Sequence, residues 1–317
     1  MATSLWIAHL FLAAAAVISA RPAANLTTRA SVSNSLFPVS PQLSHWTTST
    51  SISGALPLAD STFRPHNQIT ALQHPYVNAP DGKLSMQAYY PAGSYNFQNS
   101  PQGGFSFYAP GPASVDLTTA KEVTFGYTAY FPAGFNFVKG GKVPGLCRFS
   151  SRIALFCAGA DHVSADGGNS DSEAVSCSGG RRDDGCFSAR FMWRTAGAGE
   201  LYTYLPPDYS ANQAVCDIPP YSTCNDVYGA SVGRGSFNWT TGGRTTIAER
   251  VRLNDVGQTN GELEMFVNGK SVVNVGGLVL VNSTEGRIRG MMFQTFFGGE
   301  AIGDASVATH LSDARRL

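Results

Sequence analysis

The chain has 317 residues, with 22 basic and 22 acidic side chains, and its formal net charge is zero. That balance supplies no overall field to draw in nucleic acid or an anionic membrane, so neither is expected as a partner. Charged residues make up only 14% of the chain, against 34 glycines, 17 prolines and 11% aromatics, a composition that fits a turn-rich all-β protein.

Residues 1–20 combine an apolar, small-residue run at 10–17 with Ile18-Ser19-Ala20, and read as a cleaved signal peptide. No Lys or Arg precedes the run, and it is too short to span a bilayer. Residues 21–53 are rich in Ser, Thr, Ala and Pro and read as a leader or linker. Residues 54–317 read as one domain. Strand-like alternation recurs at 84–90, 104–108, 122–131, 186–194, 200–205, 245–253, 262–267, 270–275 and 288–297. Asn268-Gly269 marks a tight hairpin, since both residues tolerate positive φ. No run of twelve or more residues has helical periodicity. The expected fold is therefore a single antiparallel sandwich, a β-jelly roll. Two segments, 148–165 and 300–317, have neither alternation nor turn chemistry, and read as loop or as translated non-coding sequence.

Secretion makes the six cysteines disulfide candidates. Proximity pairs Cys177 with Cys186 and Cys216 with Cys224, leaving Cys147 and Cys157. Their spacings do not suit zinc, and no pattern demands calcium, so no metal or other cofactor is expected. Acceptor sequons stand at Asn25, Asn238 and Asn282, the last two within the domain.

The run 186–205 carries the most chemistry. As a strand it places Ser188, Arg190, Met192 and Arg194 on one side, and Phe187, Ala189, Phe191 and Trp193 on the other. After a turn at 195–199, Tyr202 and Tyr204 share a face opposite Leu201, Thr203 and Leu205. One face can seat on a core. The other gathers guanidinium, hydroxyl and phenol groups suited to binding and deprotonating an acidic polymer. Gln87 and Tyr89 on an early strand, and Gln294 on a late one, are further candidate substrate contacts. His66 and His74 read as loop or packing histidines, and Arg181, Arg182, Asp183 and Asp184 as a mutually paired turn.

The motifs GGKVPGL (140–146), CSGGRRDDGCFSARFMWR (177–194), YTY (202–204), YGASVGRGSF (228–237) and RVRLNDVGQTNGELEMFVNGK (250–270) together resemble polysaccharide lyase family 14, the alginate lyases and related polyuronate lyases. The resemblance implies a jelly roll with substrate across a concave sheet. It also implies a catalytic Lys142, on a loop after Gly140, with Ser188, Arg190, Tyr202 and Tyr204. Breaking a 4-linked uronate by β-elimination removes the C5 proton, whose acidity depends on neutralising the neighbouring carboxylate. Arg190 can meet that carboxylate with two bonds. Lys142 can share that role or lower a phenol's pKa, and Tyr202 and Tyr204 can act as base and acid in either order. Ser188 and Arg194 would bind the sugar. The expected enzyme is a secreted monomer acting on an acidic polysaccharide such as alginate or glucuronan. A glycoside hydrolase would need two carboxylates flanking the bond, for which Glu262 and Glu264 are the candidates. A non-catalytic lectin could keep the aromatics, but has no use for the lysine.

Overall fold

The computed structural model describes residues 3–15, 35–39, 44–97, 99–147, 167–168, 177 and 179–298. The segments 148–165 and 300–317, and the sequon at Asn25, lie outside them. Among the described residues fifteen strands succeed one another: β1 (Thr3–Ala15), β2 (Ser44–Thr47), β3 (Tyr76–Asn78), β4 (Leu84–Tyr90), β5 (Phe105–Ala109), β6 (Glu122–Phe131), β7 (Gly141–Cys147), β8 (Gly167–Gly168), β9 (Cys186–Trp193), β10 (Ala198–Tyr204), β11 (Ala230–Asn238), β12 (Gly243–Arg252), β13 (Gly261–Val267), β14 (Lys270–Leu278) and β15 (Gly290–Phe297). They form two antiparallel sheets. The larger runs β14-β13-β12-β6-β1-β4-β3, with β2 paired to β1. The smaller runs β11-β10-β9-β7-β15-β5, with β8 paired to β9.

All nine alternating segments are strands, and the Asn268-Gly269 hairpin forms with φ of 49° and 80°. The fold is the β-jelly roll that the sequence predicts. Between the sheets lies an apolar core in which alternation is obeyed: Phe187, Ala189, Phe191 and Trp193 of β9 meet Phe125, Tyr127, Ala129 and Phe131 of β6. Trp193 sits in an aromatic cluster, its ring centroid 5.2 Å from Phe297 and 5.7 Å from Phe131. This packing fixes β9, and thereby presents its other face outward from the sandwich.

The stretch expected as a cleaved signal peptide supplies β1, which pairs with β4 on one side and β6 on the other. An apolar run that suits a leader also suits an inner strand, and composition does not separate the two. Within 21–53, expected as a linker, Ser44–Thr47 pairs with Ala14 to Phe11 as β2. GGKVPGL is not a loop either: it is β7, between β9 and β15.

Candidate active site

Lys142, Arg190, Tyr202 and Tyr204 come together on the outward face of the smaller sheet. Register places them: Tyr202 lies opposite Arg190, Tyr204 opposite Ser188, and Lys142 opposite Met192. Strand β7 reaches this register through a bulge at Pro144, between Val143 and Gly145. Gly145 is required there, because a Cβ would stand 2.6 Å from the Arg190 Cα.

Lys142 is half-buried. Its Nζ lies 4.1 Å from the centroid of the Tyr202 ring and 3.5 Å from the Met192 sulfur, with the Phe296 ring 5.8 Å away. Burial pushes its pKa well below the usual lysine value, and the charges of Arg190 and Arg194 push it further, while Glu200 opposes them. Burial pushes the half-buried Tyr202 phenol up, and the charge and hydrogen bond of Tyr204 add to this; Arg190 and Arg194 offset part of it. Lowering a phenol's pKa is one of two roles expected of Lys142, and the Tyr202 phenol is instead raised.

Arg190, expected on an exposed polar face, is 1% exposed. Its Nη1 donates to Gln294 Oε1 at 3.0 Å, and its guanidinium lies 5.9 Å from the Tyr204 ring. Nε and Nη2 are buried and without a hydrogen-bond partner among the described residues. A buried donor left this way costs free energy that an incoming anion recovers. Gln294 thus lies beside Arg190, and its amide nitrogen donates to Ser106 Oγ at 3.3 Å.

Tyr204 is buried against the Cys177–Cys186 disulfide, and its hydroxyl accepts the Gly180 N–H at 3.1 Å. Ser188, expected to bind sugar, is fully buried and donates to the Cys177 carbonyl at 2.9 Å. It ties the disulfide loop to β9. The second disulfide, Cys216–Cys224, also forms as expected.

Arg194 is half-buried, and its Nε and Nη2 each lie 2.6 Å from Glu200 Oε1. Glu200 is completely buried, and its other oxygen accepts from Ser231 Oγ at 2.5 Å and Arg234 Nε at 2.8 Å. Neither Glu200 nor Arg234 is among the residues singled out from the sequence. The signal for Glu200 was present, because it shares the alternation of Tyr202 and Tyr204.

Other residues lie elsewhere. Gln87 and Tyr89 are on β4 of the larger sheet, whose Met86, Ala88 and Tyr90 fill the core, so both point out on the far side of the sandwich. They are not part of this site. Alternation assigned them a common face but carried no information on which sheet would hold it. His74 packs on Phe107 and bonds Asp60 at 2.9 Å, a packing histidine as expected. In the turn 181–184, expected to pair within itself, Arg182 donates to the Asn225 and Asp226 carbonyls, and Asp184 accepts the Asp208 N–H. Glu262 is bonded to Arg250 and Arg252 at 2.7 and 3.1 Å, and Glu264 lies 3.7 Å from Arg250. Carboxylates held in such a ladder on β13 are poor candidates for a hydrolytic pair. Asn238 is exposed and Asn282 half-buried.

Among the described residues no cluster of three or more His, Cys, Asp or Glu is arranged to hold a metal ion, and no helix is long and apolar enough to cross a membrane. What the arrangement offers is an amine of lowered proton affinity, a phenol of raised pKa and a guanidinium with two unpartnered nitrogens.

Residues 78–312 match the family described as polysaccharide lyase 14. No curated protein matches the chain. Among solved structures it resembles the marine PL-14 alginate lyase from Aplysia kurodai, at 28% identity and a TM-score of 0.56, over 74% of this chain and 82% of that one. The alginate lyase vAL-1 from Chlorella virus shares the fold at 23% identity and a TM-score of 0.55, over 75% and 85% of the two chains. With the family match spanning most of the chain, this protein belongs to polysaccharide lyase family 14.

Proposed function

We propose that the enzyme cleaves a 4-linked polyuronate by β-elimination, and that Lys142, Arg190 and Tyr202 carry the reaction. The observation behind this reading is the lowered proton affinity of Lys142 directly over the Tyr202 ring and beside Arg190. The uronate carboxylate binds Arg190 through its Nε and Nη2, which stabilises negative charge developing on the carboxylate as C5 loses its proton. Lys142, present as the amine, takes that proton. The C4–O4 bond breaks, a C4=C5 double bond forms, and the leaving O4 takes a proton from the Tyr202 phenol, whose raised pKa keeps it protonated. Tyr204 holds Tyr202 and receives the Gly180 N–H, so its part is orientation. Arg194 and Gln294 complete the carboxylate-binding side.

Alginate is the first substrate to test, supported by the likeness to the Aplysia kurodai enzyme, with glucuronan as the comparison polymer. Secretion is supported by the two disulfides. We place glycosylation at the sequons of Asn238 and Asn282. The test is incubation with each polymer, monitoring the ultraviolet absorbance of the new double bond. Wild-type protein is expected to release unsaturated ends, and Lys142→Met to be folded, at least as thermally stable, and silent. Reducing ends without absorbance would mean hydrolysis, and binding without either product a lectin.

A further inference from the structure

The YGASVGRGSF motif is unused by the chemistry above. Strands β10 and β11 pair Leu201 with Val232 and Gly199 with Phe237, so Glu200 alone spans 233–236 and those four residues leave the ladder as a bulge. Gly233 and Gly235 bracket Arg234 with φ of +63° and +85°, left-handed values that a side chain at either position would strain. Between them Arg234 turns back over the site. Its Nε reaches Glu200 at 2.8 Å, and its Nη2 reaches Ser231 Oγ at 2.9 Å. The guanidinium lies 5.2 Å from the ring of Tyr221, itself 52% exposed. Nη1 makes no hydrogen bond among the described residues, and a third of the side chain is open to solvent.

Glu200 is already neutralised by Arg194 and bonded to Ser231, so a second guanidinium exceeds what its burial requires. The Arg194–Glu200–Arg234 chain therefore carries one surplus positive charge, extending from the Tyr202 ring to the β11 edge. A polyuronate presents a carboxylate on every sugar. We infer that Arg234 and Tyr221 form an outer uronate subsite: Arg234 takes the carboxylate of a sugar beside the one being cleaved, and the Tyr221 ring supports that sugar's apolar face. This rests on the polyuronate reading above. The competing role is that Arg234 only anchors Glu200.

Chain length separates the two. Arg234→Gln and Tyr221→Ala are assayed on alginate and on size-graded alginate oligosaccharides. A lost charge-assisted contact corresponds to roughly a tenfold rise in KM for the polymer and long oligomers. The effect is expected in KM rather than kcat, and to vanish for the shortest oligomer cleaved; Arg234→Lys is expected to recover part of it. A fall in kcat that is equal at all lengths, or no change at any length, overturns the subsite. If wild-type protein gives no unsaturated product, polyuronate binding measured by calorimetry still decides. About tenfold weaker binding by Arg234→Gln upholds the subsite without the chemistry, and equal binding ends it.

Discussion

A lysine that shares a partly buried face with two guanidinium groups titrates below its ordinary range, and the sign of the resulting pH dependence follows. Only the amine accepts the C5 proton, so kcat/KM is expected to rise with pH through the lowered pKa of Lys142. It falls again only where the raised Tyr202 phenol ionises, above the ordinary tyrosine value. Arg194→Gln removes one of the charges that lower the lysine and leaves Glu200, which raises it, so the acid limb moves to higher pH. An unmoved limb would exclude Lys142 as the titrating base. Arg190→Lys keeps the charge but loses the fork, and a fall in kcat on the order of 100-fold is expected. Near-normal turnover would return Arg190 to a packing role. At this scale the alternation of 186–205 and the lysine motif made Lys142, Arg190, Tyr202 and Tyr204 legible. What stayed hidden was partnership: Ser188 is spent on a backbone carbonyl, and Arg194 on a carboxylate thirty-four residues' worth of chain away from its own second partner, Arg234.

Strand β7 shows how an element is held for function. Its bulge frees backbone groups from the ladder, and the opposite sheet satisfies two of them across the core. Tyr127 of β6 donates its hydroxyl to the Pro144 carbonyl at 2.9 Å, and Glu249 of β12 accepts the Leu146 N–H. Glu249 is 1% exposed, and burial raises its pKa well above the ordinary carboxylate value despite the nearby Arg190 charge. The folded state thus holds a proton that the unfolded chain releases, so this group's contribution is full below the unfolded pKa and is lost as pH rises through the folded one. Glu249→Gln keeps an acceptor without needing that proton. It is expected to retain activity and to match wild-type Tm at acid pH, with an advantage that grows as pH rises. Glu249→Leu strands the Leu146 N–H, at about 1–3 kcal/mol, and is expected to lower both Tm and kcat. Equal behaviour of the two variants would show that the carboxyl does not hold the bulge. None of this was legible locally. Glycines and a proline around one lysine read as a loop, because a bulged strand satisfied from another sheet leaves no alternation of its own.

For the molecule as a whole, patterned half-buried strands announce themselves and uniformly apolar ones do not. β4 and β12 to β14 alternate because one face meets the core and the other is partly open, while β6 and β9 alternate in residue type although every residue is buried, and these sufficed for the jelly roll. β1 does not alternate in that way, and its apolar run carries two meanings, exported leader and inner strand. The structure gives it a definite mechanical place. β4 and β6 each hydrogen-bond to β1, so removing it leaves two facing strand edges separated by about 10 Å, twice the ordinary strand spacing. Unpaired edges inside a sheet lose their ladder bonds and invite association with other chains. A chain beginning at Arg21, prepared alongside the full chain without passage through a secretory pathway, is therefore expected to melt at lower temperature and to aggregate more readily. Equal Tm and equal solubility would mean that the sheet does not need β1 and would assign residues 1–20 to export alone. Sequencing the amino terminus of exported protein then states which length performs the catalysis.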